Sequence, residues 1–405
     1  MTDVAERLEE LRERGLHRRL RLIEGAQGPT VTLDGRPVLL LCSNNYLGLA
    51  DRAEVREAAA DAALRWGAGA GASRLISGTM EPHRELEERL ADFKGSEAAL
   101  LFGSGYLANT GTIAALAGRG EVVFSDELNH ASIVDGCRLS RAETVVYRHQ
   151  DVEHLAWCLE QAGGRASLIV TDGVFSMDGD VAPLPQLLEL ARRHGARLMV
   201  DEAHAMGAIG PGGRGSVAAA GLSGEVDVVV GTLGKALGSY GAYACASAET
   251  VEFLVNSARP FIFSTAPPPS AAGATLAALE ILEAEPELVE RLQANAETLR
   301  SALAGHGLDV GNSTTQVVPL TVGEADTTME LCERALLRGV FAQGIRPPTV
   351  PPGSSRLRLT VMATHRAAEL RHAARLIGAS ARELGLPATA PEPRPPEELG
   401  FAEAA

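Results

Sequence analysis

The sequence predicts an α/β protein: a large domain with a mostly parallel sheet covered by helices, and a smaller α+β domain after it. Three observations lead to this prediction: short apolar runs rich in β-branched residues, helical stretches that alternate with them, and turn residues where the runs end. The 405 residues suffice for a large core and two domains. We expect N-terminal elements in residues 1–44, the large domain in 45–283 and the small domain in 284–386.

The N-terminal part is predicted to contain one helix and a β-hairpin. In the charged segment 2–24, leucines recur at helical spacing, which predicts a helix over the whole segment. Asp34-Gly35 is typical of a tight turn between two strands.

Six apolar runs predict strands of the large sheet. Because helical stretches separate them, most of the strands are expected to be parallel. The runs are AALLFG, EVVFS, SLIVTD, RLMVD, VDVVVG and AYACAS.

The C-terminal part begins with a predicted helix over about 276–305. The runs TQVVPLTV and RLRLTV predict strands of the small domain. From residue 387 the chain reads PATAPEPRPPEE, which is proline-rich and acidic and predicts a disordered tail over 387–405.

Composition narrows the class of function. Lys and Arg total 37 against 52 Asp and Glu, and this net charge of -15 argues against nucleic acid or an anionic membrane as a main partner. The five cysteines form no CxxC pair, which argues against a zinc site or disulfide framework and fits reduced thiols in the cytoplasm. No apolar run reaches membrane-spanning length, and the N-terminus is too charged for a signal peptide.

The segment 226–238, VDVVVGTLGKALG, carries the strongest functional signal. Lys235 follows an apolar run and so lies at the carboxyl end of a buried strand, where open α/β sheets bind ligands. Asp201 ends the run RLMVD in the same way. A lysine for a Schiff base and an aspartate for a pyridinium nitrogen are what pyridoxal 5'-phosphate (PLP) requires of a protein. The sequence therefore predicts a PLP site.

Other strand ends carry groups suited to the PLP ring. His130 is placed to lie flat on the ring, and Ser176 and His204 to hydrogen-bond its phenolic oxygen. Each is a weak signal alone, because a single His or Ser is more often a structural group. Several such groups at successive strand ends are hard to explain by packing.

A phosphate site is predicted where the strand LLFG turns into a helix. Free amides near Gly105 and Tyr106 at the helix start suit an anion, and the helix dipole adds to this. Thr232, three residues before Lys235, is a further phosphate ligand in this reading.

Three other motifs have weaker support. The glycine pattern of GAGAGASRLISG (67–78) follows a helical stretch rather than a strand, which argues against a dinucleotide site. DEAH (201–204) is spelled like a helicase box, but the chain contains no GxxxxGK[ST]. Metal binding by Asp201 and His204 lacks a third ligand at convincing spacing, so no metal is predicted.

The chain resembles the α-oxoamine synthases, PLP-dependent transferases of fold type I, up to about residue 380. Such a combination of segments is highly specific for the family. The segments that carry the resemblance are SNNYLGL, GAGAGASRLISG, NHASIVDGCRLS, DGVFSMDGD, VDEAHAMGAIGPGGRG, GTLGKALG, FSTAPPP and IRPPTVP.

The resemblance implies a PLP-dependent acyltransferase that joins an amino acid to an acyl thioester with loss of CO2. Lys235, His130 and Asp201 are the catalytic residues that it implies. FSTAPPP and IRPPTVP favour the member that condenses L-alanine with pimeloyl-CoA, or pimeloyl carrier protein, in biotin biosynthesis. Because GTLGKALG also occurs in the glycine-using 2-amino-3-ketobutyrate CoA ligase and 5-aminolevulinate synthase, the acyl substrate stays open. A PLP-fold protein without catalysis is the other alternative.

The resemblance also implies substrate-binding residues and an assembly. Arg358, with Asn44, matches the position that binds the amino-acid carboxylate, and His130 also faces the substrate. Arg18 and Thr349 match positions that contact the acyl substrate. Thr265 matches a position that reaches the phosphate of the neighbouring subunit, as in a homodimer with active sites at the interface.

Overall fold

The computed structural model describes residues 3–386, which fold into three β-sheets surrounded by helices. The segment 387–405, predicted to be disordered, lies outside the described residues. The α-helices are α1 (Val4–Glu13), α2 (Ala53–Trp66), α3 (Glu81–Lys94), α4 (Gly105–Leu116), α5 (Ala131–Ser140), α6 (Val152–Gln161), α7 (Leu184–His194), α8 (Ser216–Ala219), α9 (Ala248–Ser257), α10 (Arg259–Ile262), α11 (Pro269–Ala284), α12 (Glu287–Ala304), α13 (Ala325–Leu337) and α14 (Ala367–Glu383). Short helical turns of other types cover Leu49–Asp51, Arg74–Gly78 and Pro211–Gly213.

The strands alternate with these helices through the middle of the chain. They are β1 (Ile23–Glu24), β2 (Thr30–Leu33), β3 (Arg36–Leu40), β4 (Ala98–Phe102), β5 (Val122–Asp126), β6 (Glu143–Tyr147), β7 (Ala166–Asp172), β8 (Arg197–Asp201), β9 (Val228–Thr232), β10 (Ala242–Ala246), β11 (Val317–Gly323), β12 (Val340–Phe341), β13 (Gln343–Ile345) and β14 (Ser355–Thr360).

The N-terminal helix is shorter than predicted. The prediction of a helix over 2–24 is wrong beyond Glu13, where α1 ends. Gly15 has a φ of 65°, a left-handed conformation that stops the helix at little cost for glycine. Moreover, α1 buries none of its residues, so no packing pulls Leu20 and Leu22 into the helix, and both are exposed.

The predicted hairpin is confirmed as β2 and β3. Asp34 and Gly35 both have positive φ, at 50° and 76°, which matches a turn that follows the twist of the two strands. β12, from the C-terminal part, pairs in parallel with β3 and completes a four-stranded sheet.

The large sheet has seven strands in the order β4-β10-β9-β8-β7-β5-β6. β10 runs antiparallel to both of its neighbours and the remaining pairs are parallel, so the predicted α/β fold is confirmed. All six predicted runs form strands. β6 was not predicted because it is an edge strand. Its residues Glu143, Thr144 and Val146 are exposed, so the strand does not show a fully apolar run.

The predicted helix over 276–305 is wrong as a single element. Two helices, α11 and α12, occupy the region and meet at Glu285 and Pro286. Proline has no N–H to donate, and it disfavours a helical conformation in the residue before it, so the chain bends there. The two strands predicted beyond these helices are β11 and β14, which join β13 in a three-stranded antiparallel sheet. The domain boundaries at 44, 283 and 386 stay a prediction.

Because β5, β7, β8 and β9 are parallel, their carboxyl ends meet at one edge of the large sheet. The register places Asp172 beside Asp201, and Asp201 beside Val230. Lys235 follows β9 by three residues. The fold thus gathers residues that are far apart in the chain at one edge. Within residues 3–386, every helix is too short or too polar to cross a membrane.

His149 ties the end of β5 to the loop after β7. Its Nδ1 lies 2.9 Å from Asp126 Oδ1 and its Nε2 lies 2.7 Å from Asp180 Oδ2. Burial alone would lower the pKa of His149, but the two carboxylates outweigh burial and raise it to about 10. The imidazolium is therefore the folded-state form at neutral pH, and it holds the loop that contains Ser176.

Replacing His149 by glutamine is expected to destabilise the fold in a pH-dependent way. A histidine whose folded pKa is raised contributes stability that is complete below about pH 6.5 and lost as the pH rises towards 10. Hydrogen bonds to charged groups predict a loss of about 1.5–3 kcal/mol at pH 6 that shrinks by pH 10. Urea unfolding of both proteins at these two pH values measures the difference, and an equal loss at both would contradict the assignment.

Candidate active site

Lys235 lies in the turn after β9, half-buried at the carboxyl edge of the sheet. Its Nζ is 2.8 Å from His204 Nε2. Burial lowers the pKa of Lys235 to about 8, with Arg358 adding to the effect and Asp201 and Asp172 opposing it. A lysine with such a pKa has a substantial neutral fraction near physiological pH, which is the form that acts as a nucleophile or base.

Asp201 ends β8 and is 4% exposed. Its Oδ1 accepts a hydrogen bond from the backbone N–H of Ala203 at 2.7 Å, and its Oδ2 accepts one from Asn109 Nδ2 at 2.6 Å. The two donors fix the orientation of the carboxylate. Asn109 lies on α4 and is buried, although the sequence alone gave it no role. The sequence offered little signal for it, because α4 contains further polar residues, among them Thr110 and Thr112.

His130 is the N-cap of α5, as its Nδ1 accepts from Ser132 N at 3.2 Å. The same nitrogen lies 2.7 Å from Ser132 Oγ, which in turn accepts from Asn109 Nδ2 at 2.8 Å. A chain of hydrogen bonds therefore joins His130 to Asp201. Burial, with the charge of Lys235, lowers the pKa of His130, so its ring is neutral near pH 7.

Asp172, at the end of β7, is a further residue that the sequence analysis missed. Its Oδ2 accepts from the backbone N–H of His130 at 2.9 Å. Burial and the neighbouring charge of Asp201 raise the pKa of Asp172 well above its ordinary value. Two adjacent buried carboxyl groups disfavour each other's charged form, which adds to the effect of burial on Asp172.

A series of hydrogen bonds runs from Lys235 to Arg358 through His204, Tyr46 and Asn44. Tyr46 Oη lies 2.6 Å from His204 Nδ1 and 3.1 Å from Asn44 Oδ1. Both terminal nitrogens of Arg358 approach Asn44 Oδ1, at 3.3 and 3.4 Å. Burial, with the charges of Lys235 and Arg358, lowers the pKa of His204 well below its ordinary value. Tyr46, which is fully buried, was not predicted as a site residue.

Ser176 lies beside Arg358. The backbone oxygen of Ser176 accepts from Arg358 Nε at 2.5 Å, which fixes the guanidinium of the small sheet against the loop after β7. Both residues are buried. The predicted carboxylate-binding arginine is thus near the predicted cofactor groups.

The structure also brings together two of the residues that are predicted to bind the phosphate, Gly105 and Thr232. α4 begins at Gly105, and the N-cap Ser104 accepts from Leu107 N at 3.3 Å. A Cβ on Gly105 would lie 4.0 Å from Thr232 Cβ, so the two residues are neighbours. Tyr106 is half-exposed, and its hydroxyl donates to Asp135 Oδ2.

Arg18 and Thr349 lie together, one strand away from Arg358. Both line a cavity of about 510 Å³, and Gln343 of β13 lines the same cavity while pairing with Arg358 on β14. Thr265 lies elsewhere. It is exposed, and its backbone pairs with Ser73 in the segment GAGAGASRLISG.

The donor set fits PLP. Lys235 supplies an amine of lowered pKa, Asp201 supplies an oriented carboxylate, and His130 supplies an imidazole at the exposed side of the cleft. The start of α4, beside Thr232, supplies backbone N–H groups for a phosphate. No group of three or more His, Cys, Asp or Glu side chains with metal-binding geometry occurs in the part of the chain that the structure describes.

The fold and this site are those of a PLP-dependent transferase. The family model for aminotransferase class I and II matches residues 36–377, and the chain belongs to that family. Two curated relatives indicate which branch of this family the chain is most similar to. They are the 8-amino-7-oxononanoate synthases of Citrifermentans bemidjiense and Geobacter sulfurreducens, and each is 55% identical to the chain. The matches cover 95% of this chain in both cases, and 100% and 99% of the relatives.

Solved structures agree with this placement. A serine palmitoyltransferase from S. paucimobilis, with bound PLP and myriocin, has a TM-score of 0.90 and 34% identity, covering 95% of this chain and 98% of its own. The predicted fold type I, PLP dependence and resemblance to the 8-amino-7-oxononanoate synthase branch of the α-oxoamine synthases are confirmed.

Proposed function

We propose that the chain condenses L-alanine with pimeloyl-CoA, or with pimeloyl carrier protein, to form 8-amino-7-oxononanoate in biotin biosynthesis. The thiol carrier and CO2 leave in the same reaction. The observation that carries the proposal is identity of 51–55% to 8-amino-7-oxononanoate synthases over nearly the full chain. The serine palmitoyltransferases, at 32–34% identity, share the fold but are more distant in sequence.

We assign the residues around PLP by the chemistry of their donors, except Thr265, which is assigned by the family resemblance alone. When bound, PLP supplies a protonated ring that takes up the electron pair left on the substrate α-carbon. The groups proposed to hold it are Lys235 at the aldehyde carbon, Asp201 at the ring nitrogen, His130 on the ring face, Ser176 and His204 at the ring oxygen, Gly105, Tyr106 and Thr232 at the phosphate, and Thr265 at the phosphate of a second subunit.

Lys235 is the proposed general base. Its lowered pKa makes the neutral amine available to take the α-proton of alanine, and it lies beside the buried charge of Asp201. Arg358 and Asn44 are proposed to bind the alanine carboxylate, because a guanidinium offers two parallel N–H donors. The hydrogen bond to Ser176 holds Arg358 in one orientation, so the carboxylate and the α-proton are placed together.

The cavity lined by Arg18 and Thr349 is the proposed acyl site. Arg19, Arg21 and Arg346 line it too, and Glu333 of the same lining pairs with Arg21 at 2.5 Å. The lining therefore keeps a net positive charge, which suits an anionic acyl thioester despite the acidic charge of the whole chain. Arg346 donates to the backbone oxygen of His17, which ties the N-terminal segment to the β13 loop.

A homodimer is the proposed assembly, and the cytoplasm the proposed location. Leu75, Ile76 and Phe263 are 51%, 81% and 70% exposed, and their segments are joined by the pairing of Ser73 with Thr265. Exposed apolar side chains on two joined segments suit contact with a second copy. Thr265 is exposed on one of these segments, as its proposed role in the partner's site requires. The five free cysteines fit a reducing compartment.

Mass spectrometry of the products separates this function from its relatives. The holoenzyme is incubated with L-alanine, glycine or L-serine, each with pimeloyl-CoA, acetyl-CoA, succinyl-CoA or palmitoyl-CoA. The proposal predicts efficient product formation only from alanine and the pimeloyl thioester. A preference for glycine with acetyl-CoA or succinyl-CoA would favour the other α-oxoamine synthases, and no product from any pair would favour a protein without catalysis.

Two arginine variants are expected to fail differently. Arg358→Ala should raise the alanine concentration needed for the spectral change of bound PLP by roughly ten- to a hundredfold, since a hydrogen bond to a charged group contributes about 1.5–3 kcal/mol. Arg18→Ala should leave that titration nearly unchanged and raise the KM for the acyl-CoA. Equal loss of alanine affinity in both variants would rule out two separate sites.

A further inference from the structure

Tyr46 is a buried tyrosine whose hydroxyl lies between the two halves of the proposed site. On one side its Oη is 2.6 Å from His204 Nδ1, and His204 Nε2 is 2.8 Å from Lys235 Nζ. On the other side Oη is 3.1 Å from Asn44 Oδ1, which also accepts from Arg358. The hydroxyl therefore joins the amine of Lys235 to the cation that is proposed to bind the substrate carboxylate.

The single proton of this hydroxyl has a preferred acceptor. Arg358 and the amide nitrogen of Gln316 face the Tyr46 oxygen as N–H donors, and this amide nitrogen also donates to the backbone oxygen of His204 at 2.8 Å. Burial raises the pKa of Tyr46 and keeps the phenol protonated. Two acceptors remain, His204 Nδ1 and Asn44 Oδ1. The imidazole nitrogen is closer by half an ångström, and Asn44 Oδ1 already accepts from Arg358, so the proton points to His204.

The position of the ring proton of His204 follows from this hydrogen bond. Burial and the nearby charges keep this imidazole neutral, so the ring has a single N–H. Because Nδ1 accepts from Tyr46, that N–H is on Nε2 and points at Lys235 Nζ. An ammonium has no lone pair with which to accept this bond, whereas a neutral amine does.

We propose that Tyr46 is a positioning residue that fixes His204 as the Nε2–H tautomer and so favours the neutral amine of Lys235. Asn44 connects the same hydroxyl to Arg358. A substrate carboxylate bound at Arg358 would therefore lie at one end of a hydrogen-bond chain whose other end is Lys235. The tautomer can be measured on the protein alone. The kinetic consequence rests on the proposed function.

The matched control is Tyr243→Phe. Tyr243 is as fully buried as Tyr46, and its hydroxyl has no hydrogen-bond partner among residues 3–386. Both substitutions remove one buried hydroxyl and nothing else. In both variants the charged and titratable groups around Lys235 are unchanged; they are Asp172, Asp201, His130, His204 and Arg358.

The first test is nitrogen NMR of the cofactor-free full chain labelled with ¹⁵N-histidine, with His204 assigned by its loss in His204→Gln. The wild type and Tyr243→Phe should show a protonated Nε2 and an unprotonated, hydrogen-bonded Nδ1. In Tyr46→Phe both resonances should move towards the values of a tautomer mixture. Unchanged His204 resonances in Tyr46→Phe, or an equal change in Tyr243→Phe, would overturn the proposal.

The second test is the pH dependence of α-deuterium exchange of L-alanine by the holoenzyme. Tyr46→Phe should move the acid limb of the exchange rate up by about one pH unit, the equivalent of a single neutral hydrogen bond, with the half-saturating alanine concentration changed less than about twofold. A profile that superposes on that of Tyr243→Phe would contradict the proposal. Absence of exchange in the wild type, together with the expected NMR result, would instead contradict the proposed function and leave the tautomer assignment standing.

Discussion

Lys235→Ala is expected to lose the covalent attachment of PLP and, with it, alanine α-proton exchange. Removing a positioned base costs about 10²–10⁴-fold in rate, and loss of the covalent site adds to this. Borohydride reduction of the holoenzyme followed by peptide mapping measures the attachment, and it should label the wild type at Lys235 but leave the variant unlabelled.

Lys94 provides the internal control, since it is the one other lysine in the chain. Its Nζ is buried in an ion pair with Glu202 and also contacts the backbone oxygen of Arg214, so it is not available to an aldehyde. A labelled peptide containing Lys94, or a wild-type label that survives in Lys235→Ala, would contradict the assignment of Lys235.

Asp201→Asn is expected to keep the fold and lose most of the α-proton exchange. A neutral amide cannot hold the ring nitrogen protonated, and by analogy with one oxyanion-hole donor the loss is on the order of 3–4 kcal/mol of transition-state stabilisation. The structure adds a second reason. Asp201 Oδ2 accepts from Asn109 Nδ2, and an amide nitrogen placed there would set two donors against each other. Deuterium exchange at the alanine α-carbon is the measurement.

Asp227→Asn is the matched control for this variant. Asp227 precedes β9, and its carboxylate accepts from Leu198 N near the start of β8, at the opposite edge of the sheet from the site. It removes the same charge without touching the cleft. Exchange that falls equally in both variants, or that is unchanged in Asp201→Asn, would remove Asp201 from its proposed role.

The sequence predicted those site residues whose position follows from strand order. Lys235, Asp201 and Ser176 follow apolar runs, and the carboxyl ends of parallel strands meet at one edge whatever the details of packing. The same logic predicted the fold class. Arg358 came only from the resemblance, since a strand arginine by itself indicates no particular ligand.

The residues that the sequence did not predict act through partners far along the chain. Tyr46 meets His204 across 158 residues and Asn109 meets Asp201 across 92, so no local pattern marks either contact. Tyr46 lies in SNNYLGL and Asn109 in the helix after the predicted phosphate turn, but neither segment indicates which of its polar side chains reaches the site. The structure was needed because the chemistry of these side chains depends on which polar atom each one faces after burial.

The two wrong helix predictions have local causes that the apolar periodicity hides. Gly15 ends α1 although leucines continue at helical spacing beyond it. Pro286 divides the region of α11 and α12 although apolar residues continue on both sides. In both places one residue with special backbone preferences outweighs the pattern around it.

The claim that the chain makes 8-amino-7-oxononanoate from L-alanine and a pimeloyl thioester is tested most directly by following the carboxyl carbon of alanine. The holoenzyme is given L-alanine labelled with ¹³C at the carboxyl carbon, together with pimeloyl-CoA, and the released ¹³CO2, the free CoA thiol and the product mass are followed together. The account predicts one ¹³CO2 and one thiol for each molecule of unlabelled 8-amino-7-oxononanoate. Thiol release without ¹³CO2, or a product that retains the label, would contradict it.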